Sequence, residues 1–319
     1  MDFYRNCAFS LAKGVASLQI APVVSARVLI RISSLVAVAL LAFFALPTFI
    51  ISGTAASGQP ASVNAPPAVH LANISTRLAV GTGDNVLIVG FIITGTQSKQ
   101  IIVRGLGPLL PVSENMADPT LQLHDSSGAM IASNDNWRDT QEGGLKATTI
   151  PPSNDYDSAI VRSLQPGAYT AVLGGKGGTS GVALVEIYDL DLTVDSKLAN
   201  ISTRGRVEQG DNVLIGGTIV LGSGSTTVLF RALGPSLPGV GNALQDTTLE
   251  LYNGQGNVIA TNDNWQDSQA DEIQGTTIPP NDPREAAILH QLTPGAYTAI
   301  VRGKNNTTGV GLIEAYQLN

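Results

Sequence analysis

The sequence predicts an all-β chain: two tandem antiparallel β-sandwich domains, jelly-roll-like, behind an N-terminal hydrophobic export or anchor segment. Three observations carry this. One long block of sequence occurs twice. Each block breaks into short, β-branched runs punctuated by glycine and proline, and neither contains a convincing helical stretch.

In chain order, Arg27 and Arg31 precede an uncharged run from Ile32 to Ile51, and small residues from Ser52 to Ser57 follow it. A basic flank, an apolar stretch and a small-residue exit read as an export signal, or as an anchor if retained. Residues 1–56 are therefore expected to be a signal peptide or membrane anchor, and 57–70, rich in Ala, Ser and Pro, a flexible linker. The protein is expected to be secreted or held at the cell envelope, touching the membrane only through this segment. Cys7, the one cysteine, lies ahead of the apolar run, so removal of the segment leaves no disulfide available.

The duplication is legible letter by letter. Leu71-Ala72-Asn73-Ile74-Ser75-Thr76-Arg77 returns as Leu198 to Arg204, and Gly83-Asp84-Asn85-Val86-Leu87-Ile88 as Gly210 to Ile215. After a one-residue insertion, Asn134-Asp135-Asn136-Trp137 returns as Asn262 to Trp265, and Pro166-Gly167-Ala168-Tyr169 as Pro294 to Tyr297. The period is too long for a solenoid unit, so each copy is read as a domain: residues 71–190 and 198–319, joined by a polar link at 191–197. Expected strands in the first copy are Ile74–Val80, Asn85–Thr94, Gln100–Gly105, Thr120–His124, Met130–Ser133, Ala159–Leu164, Tyr169–Leu173 and Val182–Tyr188. Thr120 to His124 alternates with period two, as a half-buried strand does, whereas Val86 to Ile93 is apolar throughout and suits a central strand.

A formal net charge of −7 argues against a nucleic-acid partner, which needs a basic face. Three histidines and one cysteine exclude a His/Cys metal cluster. The densest polar constellation is Asn134-Asp135-Asn136-Trp137-Arg138-Asp139, mirrored by Asn262-Asp263-Asn264-Trp265-Gln266-Asp267. Crowded oxygen ligands suit a hard cation. Ca²⁺ is therefore the expected cofactor, held by Asn134, Asp135, Asn136, Asp139 and Asp157, and by Asn262, Asp263, Asn264, Asp267 and Glu285. The alternative is that these residues make Asx-turns and no more. Trp137 and Trp265, the only tryptophans, are the candidate ligand-binding residues: exposed, each could stack on a sugar, and buried, each would staple its loop to the sandwich. Arg104 and Arg231 interrupt apolar strands, as do Glu186 and Glu314, which predicts one Arg–Glu pair inside each copy. No catalytic residue is expected. His124 and His290 have no histidine counterpart in the other copy, and Gly174-Gly175-Lys176-Gly177-Gly178-Thr179 precedes no helix, so it reads as a hairpin turn and not as a phosphate loop.

The repeated opening, the Gly-Asp-Asn-Val-Leu-Ile segment and Arg104-Gly105-Leu106-Gly107-Pro108 resemble a repeat of exported proteins of environmental bacteria. The second half of each copy resembles the bacterial prepeptidase C-terminal domain: Asp118 to Leu123, Gly128, Asn134-Asp135 and Pro166 to Tyr169, and again Asp246 to Leu251, Gly256, Asn262-Asp263 and Pro294 to Tyr297. That resemblance implies a β-sandwich that is non-catalytic, exported and in some members calcium-dependent. The chain departs from the family in carrying no protease domain. The expected function is binding or adhesion, recognising a carbohydrate or protein surface outside the cell. The alternatives are a structural spacer of the envelope and a hydrolase using loop carboxylates.

Overall fold

A computed structural model describes residues 69–210 and 212–318. The export segment and most of the expected linker lie outside the described residues. The described chain is all-β and antiparallel. The first copy contributes β1 (His70–Val80), β2 (Leu87–Thr94), β3 (Lys99–Leu106), β4 (Pro119–His124), β5 (Met130–Asn134), β6 (Ser158–Leu164), β7 (Gly167–Gly175) and β8 (Gly181–Asp189). The second repeats the series as β9 (Lys197–Val207), β10 (Leu214–Leu221), β11 (Thr226–Leu233), β12 (Thr247–Asn253), β13 (Val258–Asn262), β14 (Ala286–Leu292), β15 (Gly295–Gly303) and β16 (Gly309–Gln317). The eight expected strands of the first copy are all present. Two short helices were not expected: α1 (Glu142–Ala147) and α2 (Ala270–Gly275), each six residues long. Propensity does not make them, since α1 holds two glycines; Leu145 and Ile273, buried on the sheet beneath, pin them in place.

The copies do not pair only within themselves. Within the first, β6, β3, β8 and β1 form one ladder and β5, β4, β7 and β2 another. The free side of β1 then takes β10 of the second copy, and the free side of β2 takes β9. The result is two eight-stranded ladders, each crossing the repeat boundary: β6-β3-β8-β1-β10-β15-β12-β13 and β14-β11-β16-β9-β2-β7-β4-β5. The registers obey a pseudo-two-fold: Arg77 lies opposite Ile215 and Arg204 opposite Ile88, with a bulge at Ala72 in one ladder and at Ala199 in the other.

One hydrophobic core serves both copies, combining Leu71, Ile74, Leu78 and Phe91 with Leu198, Ile201, Phe230 and Leu312. On its axis the hydroxyls of Thr76 and Thr203 hydrogen-bond to each other at 2.8 Å, each supplying the partner that a buried hydroxyl needs. A Cβ on Gly205 would meet Leu78 at 2.6 Å, so this pair of equivalent positions has diverged to let the strands approach. Leu71 opposite Leu198, Thr76 with Thr203 and Leu78 against Gly205 follow in the same order along both strands. The two copies therefore point the same way. The β1–β2, β3–β4, β5–β6 and β7–β8 connections all emerge at one end, together with their four counterparts. The described residues begin and finish at the opposite end, where Gln317 Nε2 donates to the carbonyl of Val69 at 3.0 Å. The link between copies is tied down there too: Ser196 Oγ donates to the carbonyl of Gln97, and Thr96 Oγ1 donates to Asp195 at 2.7 Å.

Candidate functional site

The shared loop end holds nearly every expected site residue. Residues 135–157 leave β5, fold over the outer face of β3, β6 and β8, and return to start β6. Trp137 fastens them. Its ring is 2% exposed, packed with Ile102, Leu145, Ile150 and Tyr188, while its Nε1 donates to the carbonyl of Asn154 at 3.1 Å and the Arg138 guanidinium covers it at 4.1 Å. Trp265, 6% exposed, packs with Leu229, Ile273 and Ile278 in the second copy. Neither ring presents a face to solvent, so the sugar-stacking role expected of Trp137 and Trp265 fails, and the staple describes both.

The expected metal ligands make four kinds of contact, and among the described residues Asp135, Asn136 and Asp263 each keep a buried Oδ1 without a hydrogen-bond partner. Asn134 accepts from the Ala159 N–H at 2.8 Å and donates to the carbonyl of Asn136; Asn262 repeats this with Ala287 and Asn264. Asn136 donates to Asp139 at 3.0 Å, and Asn264 to Asp267 at 2.9 Å. Asp135 pairs with Lys176 at 2.6 Å, and Asp263 with Lys304 at 2.7 Å. The same lysines reach Asp118 at 3.5 Å and Asp246 at 3.7 Å, and their backbone N–H groups donate to the carbonyls of those aspartates. The hairpin after β7, like the one after β15, thus carries one ammonium to a pair of carboxylates, and the Oδ1 atoms of Asp118, Asp135, Asp246 and Asp263 are buried without a hydrogen-bond partner among the described residues. Asp157 and Glu285 stand apart, each accepting backbone N–H bonds: Asp157 from Gly107 at 3.0 Å, Glu285 from Gly234, Ser236 and Asp282. Burial raises both carboxyls, Glu285 to about 7, against the donors that favour its ionised form. Among the described residues no group of three or more His, Cys, Asp or Glu side chains could hold a metal.

The two predicted Arg–Glu pairs form. Arg104 on β3 lies directly across from Glu186 on β8, and Arg231 on β11 across from Glu314 on β16. A tyrosine completes each: Tyr188 and Tyr316 stack 5.0 Å from the guanidinium carbons and donate their hydroxyls to Glu186 and Glu314 at 3.1 and 2.7 Å. Burial and the adjacent carboxylates push both phenols well above their ordinary range, so they remain neutral donors. Each arginine also donates to the overlying loop, at the carbonyls of Ile150 and Ile278. The pairs therefore clamp the stapled loops onto the sheets.

Tyr156 was missed. It is 58% exposed, the one exposed aromatic among the described residues, and it projects from the segment that Trp137 holds. Nothing in a run of Ser, Asn and Asp distinguishes a displayed tyrosine from a packed one; its lack of an aromatic counterpart, since Arg284 stands at that place in the second copy, was the available signal.

No family model matches the chain, and no curated protein matches it. Among solved structures, a chain described as "PBCV-1 virus capsid, quasi-atomic model" aligns at a TM-score of 0.20 and 10% identity, covering 78% of this chain and 92% of that one. A likeness so low carries no argument about function. No helix among the described residues is long and apolar enough to cross a membrane.

Proposed function

We propose that the chain is an exported, non-catalytic binding protein that recognises a carbohydrate or protein surface through its loop end. One observation carries this reading: the loops of both copies share one end of the molecule, and Val69 and Gln317 meet at the other. A tether leading into Val69 would hold the loop end outward, as an adhesin or receptor requires. Lys176 and Lys304 each bring one positive charge to a pair of loop carboxylates, and the binding reading holds with or without calcium. The prepeptidase-like resemblance supports it, and an envelope spacer is the alternative.

The test uses the full chain with Cys7→Ser, carrying a large polyethylene glycol on a new cysteine. Ser113→Cys places the label at the loop end, and Ser126→Cys places it in the β4–β5 turn at the far end; both positions are exposed. Retention on suspended chitin, cellulose and bacterial cell wall is then measured. Labelling at 113 is expected to abolish retention while labelling at 126 spares it. Equal loss from both labels overturns the loop-end assignment, and no retention of the unlabelled chain on any of the three leaves the spacer role.

A further inference from the structure

We infer that the first copy alone carries the contact site, a platform for one sugar ring built on Tyr156; the inference rests on the loop-end reading above and deepens it. The ring is displayed on a segment with little freedom left. The Tyr156 N–H donates to Asn154 Oδ1 at 2.9 Å, and the Asn154 carbonyl takes the Trp137 indole N–H at 3.1 Å. The Asp157 carbonyl accepts from the Trp137 backbone N–H at 2.9 Å, and its carboxylate accepts from Gly107 at 3.0 Å. Asn154 and Asp157, on either side of Tyr156, are thus fixed to the sandwich through the buried staple. A tyrosine carried on a fixed backbone has only two side-chain torsions left to order when its ring is covered, which is what makes tyrosine an effective contact residue.

The surroundings specify the class of ligand. Asp155, beside the ring in sequence, pairs with Arg138 at 2.5 Å, and Arg138 pairs with Glu142 at 2.6 Å. These are planar, oriented groups that accept from and donate to adjacent hydroxyls, next to an apolar face. Leu109, 64% exposed, is a second displayed apolar side chain, two residues past the Gly107 whose N–H donates to Asp157. One ring and one leucine are far less than the ~800 Å² that each partner buries in a standard protein interface. They match one face of a pyranose, whose axial hydrogens stack on an aromatic ring while its hydroxyls turn outward.

The second copy repeats the framework without the platform. Its counterparts of Tyr156, Asp155, Arg138 and Leu109 are Arg284, Pro283, Gln266 and Ser236, and Arg284 pairs with Asp282 at 2.8 Å. The protein thus has one site per chain, and the second copy completes the scaffold.

Cellohexaose, xylohexaose and chitohexaose are titrated into the full chain by calorimetry, with saturation-transfer NMR to locate the ligand. At least one should bind with a stoichiometry of one. Tyr156→Ala should weaken it about tenfold or more, whereas Tyr156→Phe keeps the ring and most of the affinity. Circular dichroism of the variants checks that the fold is retained, as an exposed side chain predicts. Absence of binding by all three sugars at millimolar concentration, a stoichiometry of two, or undiminished binding by Tyr156→Ala each overturns the inference. Retention on a polymer that is blocked by the label at 113 but indifferent to Tyr156→Ala sinks the Tyr156 platform and leaves the loop-end reading standing.

Discussion

Lys99 and Asp189 form an ion pair at 2.8 Å in the first copy, each side chain 1% exposed, and Lys99 also donates to the carbonyl of Asp191. In the second copy Thr226 and Gln317 occupy the same two places, and Gln317 Nε2 donates to Thr226 Oγ1 at 3.1 Å. One backbone accepts either solution. The lesson is that the ladder accepts either a buried ion pair or a neutral, half-buried hydrogen bond at these two places, in keeping with the small net worth of buried ion pairs. The same substitution of means occurs where Asp157 and Glu285 hold the loop after β3 and β11, the longer side chain taking one more backbone donor. By contrast Arg104–Glu186 and Arg231–Glu314 keep their identities, since each also grips the carbonyl of a loop and the hydroxyl of a tyrosine.

The comparison can be broken at several depths. The largest effect is expected at Glu314→Ala, which strands Arg231, 0% exposed, and should cost about 3–5 kcal/mol in urea unfolding. Glu186→Ala should cost less, because the Arg104 side chain is 14% exposed and water can reach it; equal losses would refute the idea that burial sets the difference. Next, Asp189→Gln alone should cost about 3 kcal/mol by leaving Lys99 buried without its counter-charge, while Lys99→Thr with Asp189→Gln, which installs the second copy's solution, should lie within about 1 kcal/mol of the parent. A double variant as damaged as the single would show that the copies are not interchangeable there.

The last effect is a pH dependence. Burial lifts the Glu285 carboxyl from 4.5 to about 7, so between those values the folded state keeps a proton that the unfolded chain has released. Its contribution is fully present below pH 4.5 and is lost as pH rises through 7. Glu285→Gln should remove up to about 3 kcal/mol of that decline, read as the difference between parent and variant in urea titrations from pH 4 to 8. A difference that grows in the other direction would mean that the three backbone donors hold the carboxylate ionised.

Much of this architecture could be read in the sequence. Alternation and β-branching placed the strands because they report which face is buried, and the charges at Arg104 and Glu186 announced each other because neither could stay buried alone. Alternation says nothing about which strand lies alongside. The exchange of β9 and β10 onto β2 and β1 was therefore invisible, although Leu71 to Arg77, repeated without change, marks the strand that meets its own counterpart. Lys176 and Lys304 were not legible as partners because a lysine two strands away in sequence gives no local sign of reaching Asp135 or Asp263. The tryptophans were ambiguous for a different reason: a large ring in a polar loop is compatible with display or burial, and only the packing of Ile102, Leu145 and Ile150 decides it.

The crossed ladders also set an order of events. Thr218 Oγ1 donates to the carbonyl of Asn73 across 145 residues of chain, and β1 has no neighbour on that side until β10 exists. A chain made from its N-terminus completes β1 through β8 and still holds two bare strand edges, which stay open until the second copy has been synthesised. Such long-range pairing is slow, and open edges recruit other edges. Folding of the first copy is thus a property of the finished chain. A product that stops after Asp189 would carry the two edges that complement each other, and its natural partner would be a second truncated product, rebuilding as a dimer what the intact chain makes alone.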